Sequence, residues 1–531
     1  MPDLSGASNP FSGRWIARVR NNIICQGGSA DQVFRAAKSI RGKEKIIISF
    51  IPLNQPMPFP QMFYKIQEIL SDEAGIFLVG GAIRNALLGQ AAHDLDFAVE
   101  KNTEKLARKV SRELQSSFFP LDNERETYRL ILKADDGQLM NIDFAGMRGG
   151  NIDSDLESRD FTINAMAVNL NDPQKLIDPL GGAQDLKEKV VKSCTPRSIQ
   201  DDPIRILRAI RFAAEGGYKI ADETRHQMKI SAGLLTLVTP ERKRDEIFKM
   251  MNLDQLPAAI RALEWLDSIQ ILFPGLVMHN SDDAKESLPK IKKQDHSTSE
   301  TINQLVKVIT RMNSSGEGGT LYTGMVGSVL SGFRQALRDY LQQKFTPDRN
   351  IYQLIQFSNL LINLSGNRNQ FNDPVINVIK DMNFSREEVR FIKLLTLQID
   401  PVEPTEWFEN RISRKDAFLY FKSYGLAGIA NTLLVLGRFM ASNTRMPDPD
   451  KWKALLDQVY ILWDAWWNRS DEIVNPILLL DGDEIARRFN LSPGPAIGKC
   501  LEFLKEEQAS GGIDTKEEAI LIVQKYLEDK V

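Results

Sequence analysis

Two aspartates two residues apart, Asp94 and Asp96, follow closely on a double glycine, Gly80-Gly81, and an arginine, Arg84. The apolar run Ile76–Val79 before the glycines reads as a strand, and a short helix follows them. Residues at i and i+2 of a strand share a face. Asp94 and Asp96 therefore project together, with Leu95 and Phe97 turned toward a core. Two adjacent carboxylates repel, and a cation relieves them. Hard divalent ions such as Mg2+ take carboxylate and phosphate oxygens. Gly80 and Gly81 let backbone N–H groups approach an anion, and the following helix adds the positive end of its dipole. The chemistry expected is metal-assisted transfer on a nucleotide phosphate.

A third carboxylate, Asp143, alternates with Ile142 and Phe144 in Leu139–Ala145. On a neighbouring strand it would stand beside the pair as a ligand or base; alone it would be a solvated edge residue. Arg159-Asp-Phe-Thr-Ile-Asn164 places a cation before an apolar run, which also suits a structural salt bridge. Asp178-Pro-Leu-Gly-Gly182 with Asp185 reads as a rigid turn from sheet to helix, an architectural element.

Arg205, Arg208 and Arg211 recur at threes after Asp202-Pro203, so they share one side of a helix whose other side carries Ile204, Leu207, Ile210 and Phe212. Pro203 suits the first turn, with Asp201 or Asp202 near the cap. In a surface laced with salt bridges Asp201 and Asp202 could reach Arg205 and Glu215 could reach Arg211, but Arg208 has no acid within four residues, so a triphosphate is the better partner for the whole row. A carboxylate accepts hydrogen bonds and a guanidinium donates them. Asp202 with Arg205 would thus match the amino donor and ring acceptor that cytosine and adenine share, and reject uracil and guanine.

These residues need a frame. With 531 residues the chain exceeds one core, and 42% apolar with 26% charged residues is ordinary for a globular protein. No apolar run is long enough for a membrane span, and the N-terminus does not read as a secretory signal. Three scattered cysteines without a CxxC argue for a reducing, cytoplasmic setting, and four scattered histidines argue against a histidine-built metal hydrolase. The net charge of −3 excludes a globally basic polyanion binder.

The pattern along the chain predicts a small α/β unit at 1–52, with a hairpin, a helix over 31–39 and a strand near 45–51. A proline-rich linker spans 52–60. Helix and strand alternate over 61–193, with strands at 76–79, 94–99, 128–133, 139–145 and 164–170. Beyond about Asp201 the pattern is helical, with breaks at 314–319 and 365–373. Trp463, Trp466 and Trp467 read as helix core rather than an RNA platform. The last segment carries a helix at 497–509, then a Thr515/Glu518 capping box.

Taken in order, Gly80-Gly81…Arg84, Asp94-x-Asp96, Arg159-Asp-Phe-Thr-Ile-Asn-Ala, Asp178…Gly-Gly…Asp185-Leu and Asp202-x-x-Arg205-x-x-Arg208-x-x-Arg211 resemble the class II tRNA nucleotidyltransferase and bacterial poly(A) polymerase family. Glu241-Arg242…Glu246 resembles its neck helix. The resemblance implies an α/β, polymerase-β-like head (61–193), then an all-helical neck (194–262), body (263–475) and tRNA-facing tail (476–531). It implies Mg2+ on Asp94 and Asp96, with Asp143 catalytic. Gly80, Gly81, Arg84 and Arg159 would contact the nucleotide, while Asp202, Arg205, Arg208 and Arg211 would build its pocket. The implied partners are ATP, CTP and a tRNA 3′ end, with no membrane and no stable protein partner. Asn85 and Ser158 depart from common family residues, an Asp and a second Arg. The short Asp143-to-Arg159 connection differs from the longer loop of members that add all of CCA, which leaves CC-only or A-only addition open. Poly(A) tailing of general RNA is the alternative, disfavoured by the acidic Glu528-Asp529 end. A catalytically idle RNA-binding module would not need Asp94 and Asp96.

Overall fold

The computed structural model describes residues 11–528 except 12–13, 20–21, 42–43, 52–56, 58, 91, 93, 134–138, 277–292, 311–320, 366–371, 398–410 and 443–447. The break expected at 314–319, most of that at 365–373 and most of the 52–60 linker lie outside the described residues. Two compact units emerge: residues 1–246 with 265–271, and residues 247–264 with 272–531.

The first unit opens with the expected small α/β element. Strands β1 (Arg14–Val19), β2 (Asn22–Gly27) and β3 (Ile47–Ile51) form an antiparallel sheet in the order β2-β1-β3, with helix α1 (Ala30–Arg41) between β2 and β3 in sequence. Val33 and Ala37 of α1 pack on Ala17 on one face of the sheet. The other face buries Ile16, Ile23 and Ile51 against Leu88.

Next come α2 (Gln61–Ile69), β4 (Ile76–Val79), α3 (Gly81–Leu87), β5 (Asp94–Val99), α4 (Thr103–Glu113), β6 (Ser117–Asp122), β7 (Thr127–Lys133), β8 (Leu139–Gly146), α5 (Ile152–Glu157), β9 (Ala167–Asn169) and β10 (Asp172–Ile177). Their seven strands form one sheet in the order β10-β9-β4-β5-β8-β7-β6. Only β5 and β8 of this sheet run parallel. The alternation in β5 does what the sequence requires: Leu95 and Phe97 are buried, and Phe97 stacks between Phe63 and Phe144 at 6.4 and 5.1 Å.

Three local expectations need correction. The strand expected at 164–170 is shorter: a 3-10 turn occupies Thr162–Asn164 and β9 begins at Ala167. Strands β6 and β10 were not expected, and both carry a proline, Pro120 and Pro173. They are the two sheet edges, where a missing backbone donor costs no ladder bond. The arginine helix is also interrupted. After α6 (Gly182–Glu188) and β11 (Val190–Val191), α7 (Ser198–Asp201) ends at Asp201, and Asp202 is extended. Helix α8 (Arg205–Gly216) then begins, with Pro203 in the turn before it rather than in its first turn. Strand β12 (Lys219–Ile220), α9 (Asp222–Ser231) and α10 (Pro240–Met251) follow.

The second unit is helical apart from one short hairpin among its described residues. Trp463 is fully buried and donates to Thr432 at 2.9 Å, while Trp467 packs on Phe333, so the tryptophans serve the core. The final helices are Pro495–Ser510 and Lys516–Glu528, the latter opened by the Thr515/Glu518 capping box. Among the described residues no single helix is long and apolar enough to cross a membrane.

A charged pair in this unit joins Arg349 to fully buried Glu388 at 2.6 Å. Burial alone would raise Glu388, but the Arg349 guanidinium and the Ser385 donors hold it below the ordinary carboxylate range. Removing one partner of such a pair strands the other charge. Glu388→Gln keeps a side chain able to close the Ser385 capping box. It is expected to destabilise this unit by about 3 kcal/mol, read from urea unfolding; an unchanged midpoint would contradict this account.

Candidate active site

The parallel β5–β8 ladder sets the register Asp94↔Asn141 and Asp96↔Asp143, so the third carboxylate stands directly beside the second. Across the other edge of β5, Asp96 pairs with Val79, the residue before Gly80. Gly80 adopts φ 73°, ψ −135°, a conformation open to glycine and strained for other residues. A Cβ placed there would stand 3.6 Å from Asp96 Oδ2 and 3.3 Å from Arg159 Nη1. The phosphate turn thus has a carboxylate on one side and a guanidinium on the other.

Each group is separately held. Asp94 accepts from the Asn141 amide side chain at 3.1 Å. Arg129 of β7 grips Asp143 with two bonds of 2.8 and 2.7 Å. Arg159 is anchored through Nε and Nη2 on Asp155, at 3.0 and 2.9 Å. Burial and the neighbouring Asp143, with a smaller push from Asp94, raise Asp96 to about 6 against the opposing pull of Arg159 and Arg129. A hard cation would relieve this cluster. Among the described residues no three acidic, histidine or cysteine side chains stand close enough to hold a metal by themselves. Paired carboxylate oxygens are the donors that a hard divalent ion takes, so the donor set of Asp94 and Asp96 fits one.

Arg84 lies behind the turn. It donates to Asn164 Oδ1 at 2.6 Å and stacks over Phe212 at 5.1 Å, and burial lowers its pKa. It braces helix α3 against the Arg-Asp-Phe segment. Asp178 accepts from the first N–H groups of α6, at 2.6 and 2.9 Å, and Asp185 accepts from Thr162 at 2.6 Å, the architectural role expected. Gly182 is forced: a Cβ there would meet the Thr162 carbonyl oxygen at 2.0 Å.

The arginine row is only partly what its spacing promised. A triphosphate was the expected partner, yet two of the three guanidiniums already hold carboxylates. Arg208 binds Asp160 at 2.6 Å and Glu246 at 3.5 Å. Arg211 binds Glu246 at 2.9 Å and Glu215 at 3.3 Å. Burial would raise Asp160, but Arg208, Asn164 and the Phe161 N–H hold it below the ordinary range. The sequence distance to Asp160 and Glu246 hid these partners. Arg205 donates to the carbonyls of Ser158, Arg159 and Ser198 at 2.8, 3.0 and 3.2 Å. Asp202 accepts from Arg242 at 2.9 Å.

Asp202, Arg205 and Arg242 line a cavity of ≈ 880 Å3 together with Arg125 and Arg148. A smaller one of ≈ 280 Å3 shares Asp202, Arg148, Arg205 and Arg242, and is also lined by Arg159 and Arg208. Burial lowers Arg148, and Arg125, Arg159 and Arg205 push it further the same way. Crowded guanidiniums suit a polyanion. Sequence reasoning missed Arg125 and Arg148; the only signal was Arg148 preceding Gly149-Gly150, where φ turns positive.

The poly A polymerase head domain profile matches residues 76–192. A profile described as the probable RNA and SrmB-binding site of polymerase A matches 217–278. A CC-adding tRNA nucleotidyltransferase of Geobacter sulfurreducens is 29% identical over 86% of this chain and 92% of its own length. An A-adding tRNA nucleotidyltransferase of Deinococcus radiodurans is 24% identical over 86% and 96%. A CCA-adding enzyme solved with CTP aligns with a TM-score of 0.57 at 24% identity, covering 88% of this chain and 95% of that one, a likeness of fold.

The Asp96 repulsion has a measurable sign. A carboxyl whose folded-state pKa is raised favours the fold below its ordinary value near 3.8, and that contribution is lost as pH rises through about 6. In metal-free protein at pH 7.5, Asp96→Asn is expected to add roughly 1–3 kcal/mol of stability, a gain that fades toward pH 4. Thermal melting at both pH values checks this, and an equal melting temperature at pH 7.5 would show that no repulsion is stored.

Proposed function

We propose that this chain, which resembles the class II tRNA nucleotidyltransferase and bacterial poly(A) polymerase family in its motifs, matching domains and relatives, extends tRNA 3′ ends without a template, adding CMP, AMP or both from CTP and ATP and releasing pyrophosphate. The observation that carries this reading is the Gly80 turn, with Asp96 on one side, Arg159 on the other and Asp143 in register beyond.

In this reading the backbone of Gly80-Gly81 and the Arg159 Nη1 donor receive the triphosphate. Asp94 and Asp96 would hold Mg2+, which when bound supplies charge neutralisation at the phosphates and lowers the pKa of an RNA 3′ hydroxyl. Asp143, beside Asp96, accepts the hydroxyl proton or completes the carboxylate cluster; Arg129 holds it in place with two hydrogen bonds. Arg84 positions the turn. Asp202 and the Arg205 edge read the base, while Arg208 and Arg211 lock the reader in place through Asp160 and Glu246. Three cysteines scattered along the chain, none in a CxxC pair, suit a cytoplasmic enzyme. Head (61–193), neck (194–262), body (263–475) and tail (476–531) would divide the work as catalysis, base reading and RNA holding.

A second reading is CC-only addition. The connection between Asp143 and Arg159 is short and ordered: β8 runs to Gly146, a 3-10 turn takes Arg148–Gly150, and α5 fills Ile152–Glu157. The similarity to a CC-adding relative over most of both chains points the same way.

Three tRNAs, ending before CCA, after C and after CC, are to be incubated with CTP, with ATP and with both, in Mg2+. CC-only addition predicts two cytidines on the shortest tRNA and nothing on the one ending in CC. Full synthesis predicts completion of all three, and A-only addition predicts growth of the CC-ended tRNA alone. Asp94→Asn or Asp96→Asn is expected to reduce any addition at least ~1,000-fold, and Asp202→Ala to admit UTP. No extension of any tRNA by the unaltered chain would overturn the proposal.

A further inference from the structure

The N-terminal α/β element, β1 to β3 with α1, plays no part in the chemistry above, yet its charge is unlike that of the rest of the chain. Residues 14–51 contain eight Lys or Arg against two Asp or Glu, an excess of six positive charges in a chain whose total is −3. Arg18 turns inward and donates to the Leu88 carbonyl at 3.3 Å. Arg14, Arg35, Lys38, Arg41 and Lys45 are exposed. Of the two acids, Glu44 lies at 4.0 Å from Arg41, and Asp31 is exposed in the first turn of α1.

Aromatic rings lie among these cations. Phe34, Lys38 and Arg41 are spaced i, i+4 and i+7 along α1, and so share one flank of the helix. Lys38 Nζ sits 5.9 Å from the Phe34 ring. Phe50 on the edge strand β3 pairs in register with Trp15, their rings 5.4 Å apart. Phe34 and Phe50 remain 45% and 44% exposed, and Ile47 on the same edge strand 51%. A small element that leaves such side chains in water beside four or five cations does not use them for its own core. Cations that neutralise phosphates, interleaved with rings on which bases stack, are the chemistry of RNA contact.

The element is fixed to the catalytic head at an informative place. Its second face packs on Leu88, and Arg18 bonds the same residue. Leu88 ends α3, whose first residue is Gly81 of the phosphate turn. Seven helical residues, a rise of roughly 10 Å, thus separate the anchor from the turn. An RNA whose end reaches Asp94 and Asp96 has its following nucleotides within reach of a surface held this close.

We propose that residues 14–51 form an RNA-binding element that grips the phosphate backbone and unpaired bases of the tRNA substrate through Arg14, Arg35, Lys38, Lys45, Phe34 and Phe50. The inference rests on the tRNA-extending reading for the identity of the RNA. Its test uses the full-length chain and tRNA ending in CC, with affinity measured by fluorescence anisotropy across a salt series. The double variant Arg35→Glu/Lys38→Glu is expected to weaken binding about tenfold and to flatten the slope of log affinity against log salt by about 1.5. Phe34→Ala/Phe50→Ala is expected to weaken binding about fivefold with the slope unchanged. Far-UV circular dichroism and melting temperature confirm that each variant is folded; none of the four residues is buried, so folding is expected to survive. Unchanged affinity and slope in both folded variants would overturn the proposal, even if nucleotide addition is observed. Loss of binding with no nucleotide addition by the unaltered chain would leave the RNA surface standing and remove the tRNA-extending reading.

Discussion

The parallel pairing of β5 with β8 is the constraint on which the rest of the head depends. It is the one parallel contact in a mostly antiparallel sheet, and it places Asp96 beside Asp143. Offsetting the two strands by one residue would turn every side chain of one strand to the other face, exposing Phe97 or Phe144. The register is therefore locked by the stack of Phe63, Phe97 and Phe144 on the buried face. The core holds two carboxylates together that would otherwise separate. The surroundings relieve this only in part: Arg129 takes Asp143, and Arg159 stands over the turn beside Asp96. Burial and the remaining repulsion keep Asp96 raised to about 6.

A second constraint concerns how α8 and α10 meet the Arg-Asp-Phe segment. Asp160 and Glu246 are buried carboxylates, and each has a guanidinium partner from α8. Buried charges persist only when paired, so α8 cannot rotate or slide without stranding one of them. The ring of Phe212 adds a further restraint, with the guanidiniums of Arg84, Arg208 and Arg211 all within 6 Å of its centre. Arg84 thereby couples the phosphate turn to the helix carrying Arg205. In the proposed reading, phosphate and base positions would then be set relative to each other by the protein interior, not by a template strand.

Much of this was legible in the sequence where the period was short. The alternation in β5 and β8, the glycine turn, the hairpin and helix of the first fifty residues and the capping box of the last helix all rest on neighbours within four residues. Edge strands β6 and β10 were not legible, because Pro120 and Pro173 read as breakers while the sheet leaves their donors unneeded. The arginine row was half legible. Its spacing placed the side chains on one helix face, but Arg208 meets Asp160 across 48 residues and Glu246 across 38. Local charge counting cannot see partners at that range. Arg125 and Arg148 escaped for the same reason, since their cavity forms only when turns after β6 and β8 meet the chain around Asp202.

The connection from Asp143 to Arg159 bears on how many kinds of nucleotide one site accepts. In the proposed reading cytosine and adenine offer the same donor and acceptor but differ in ring size, so one site that takes first C and then A must shift its reading edge, and that requires something nearby to move. Here the connection is tied at several points. The Asn151 side chain caps α5 through the Ser154 N–H at 2.9 Å, and Asp155 accepts from the Arg148 N–H at 3.2 Å and from Arg159. Its end supplies the Ser158 and Arg159 carbonyls that receive the Arg205 guanidinium. Arg205, the proposed base reader, is thus bonded directly to the segment that would have to flex. Moving Arg205 breaks bonds to backbone acceptors, and moving the segment breaks the partly buried Asp155–Arg159 pair, so either path to a second setting carries a cost. A reader fastened in this way favours one setting, which is the physical basis for expecting a single kind of base rather than a switch between two.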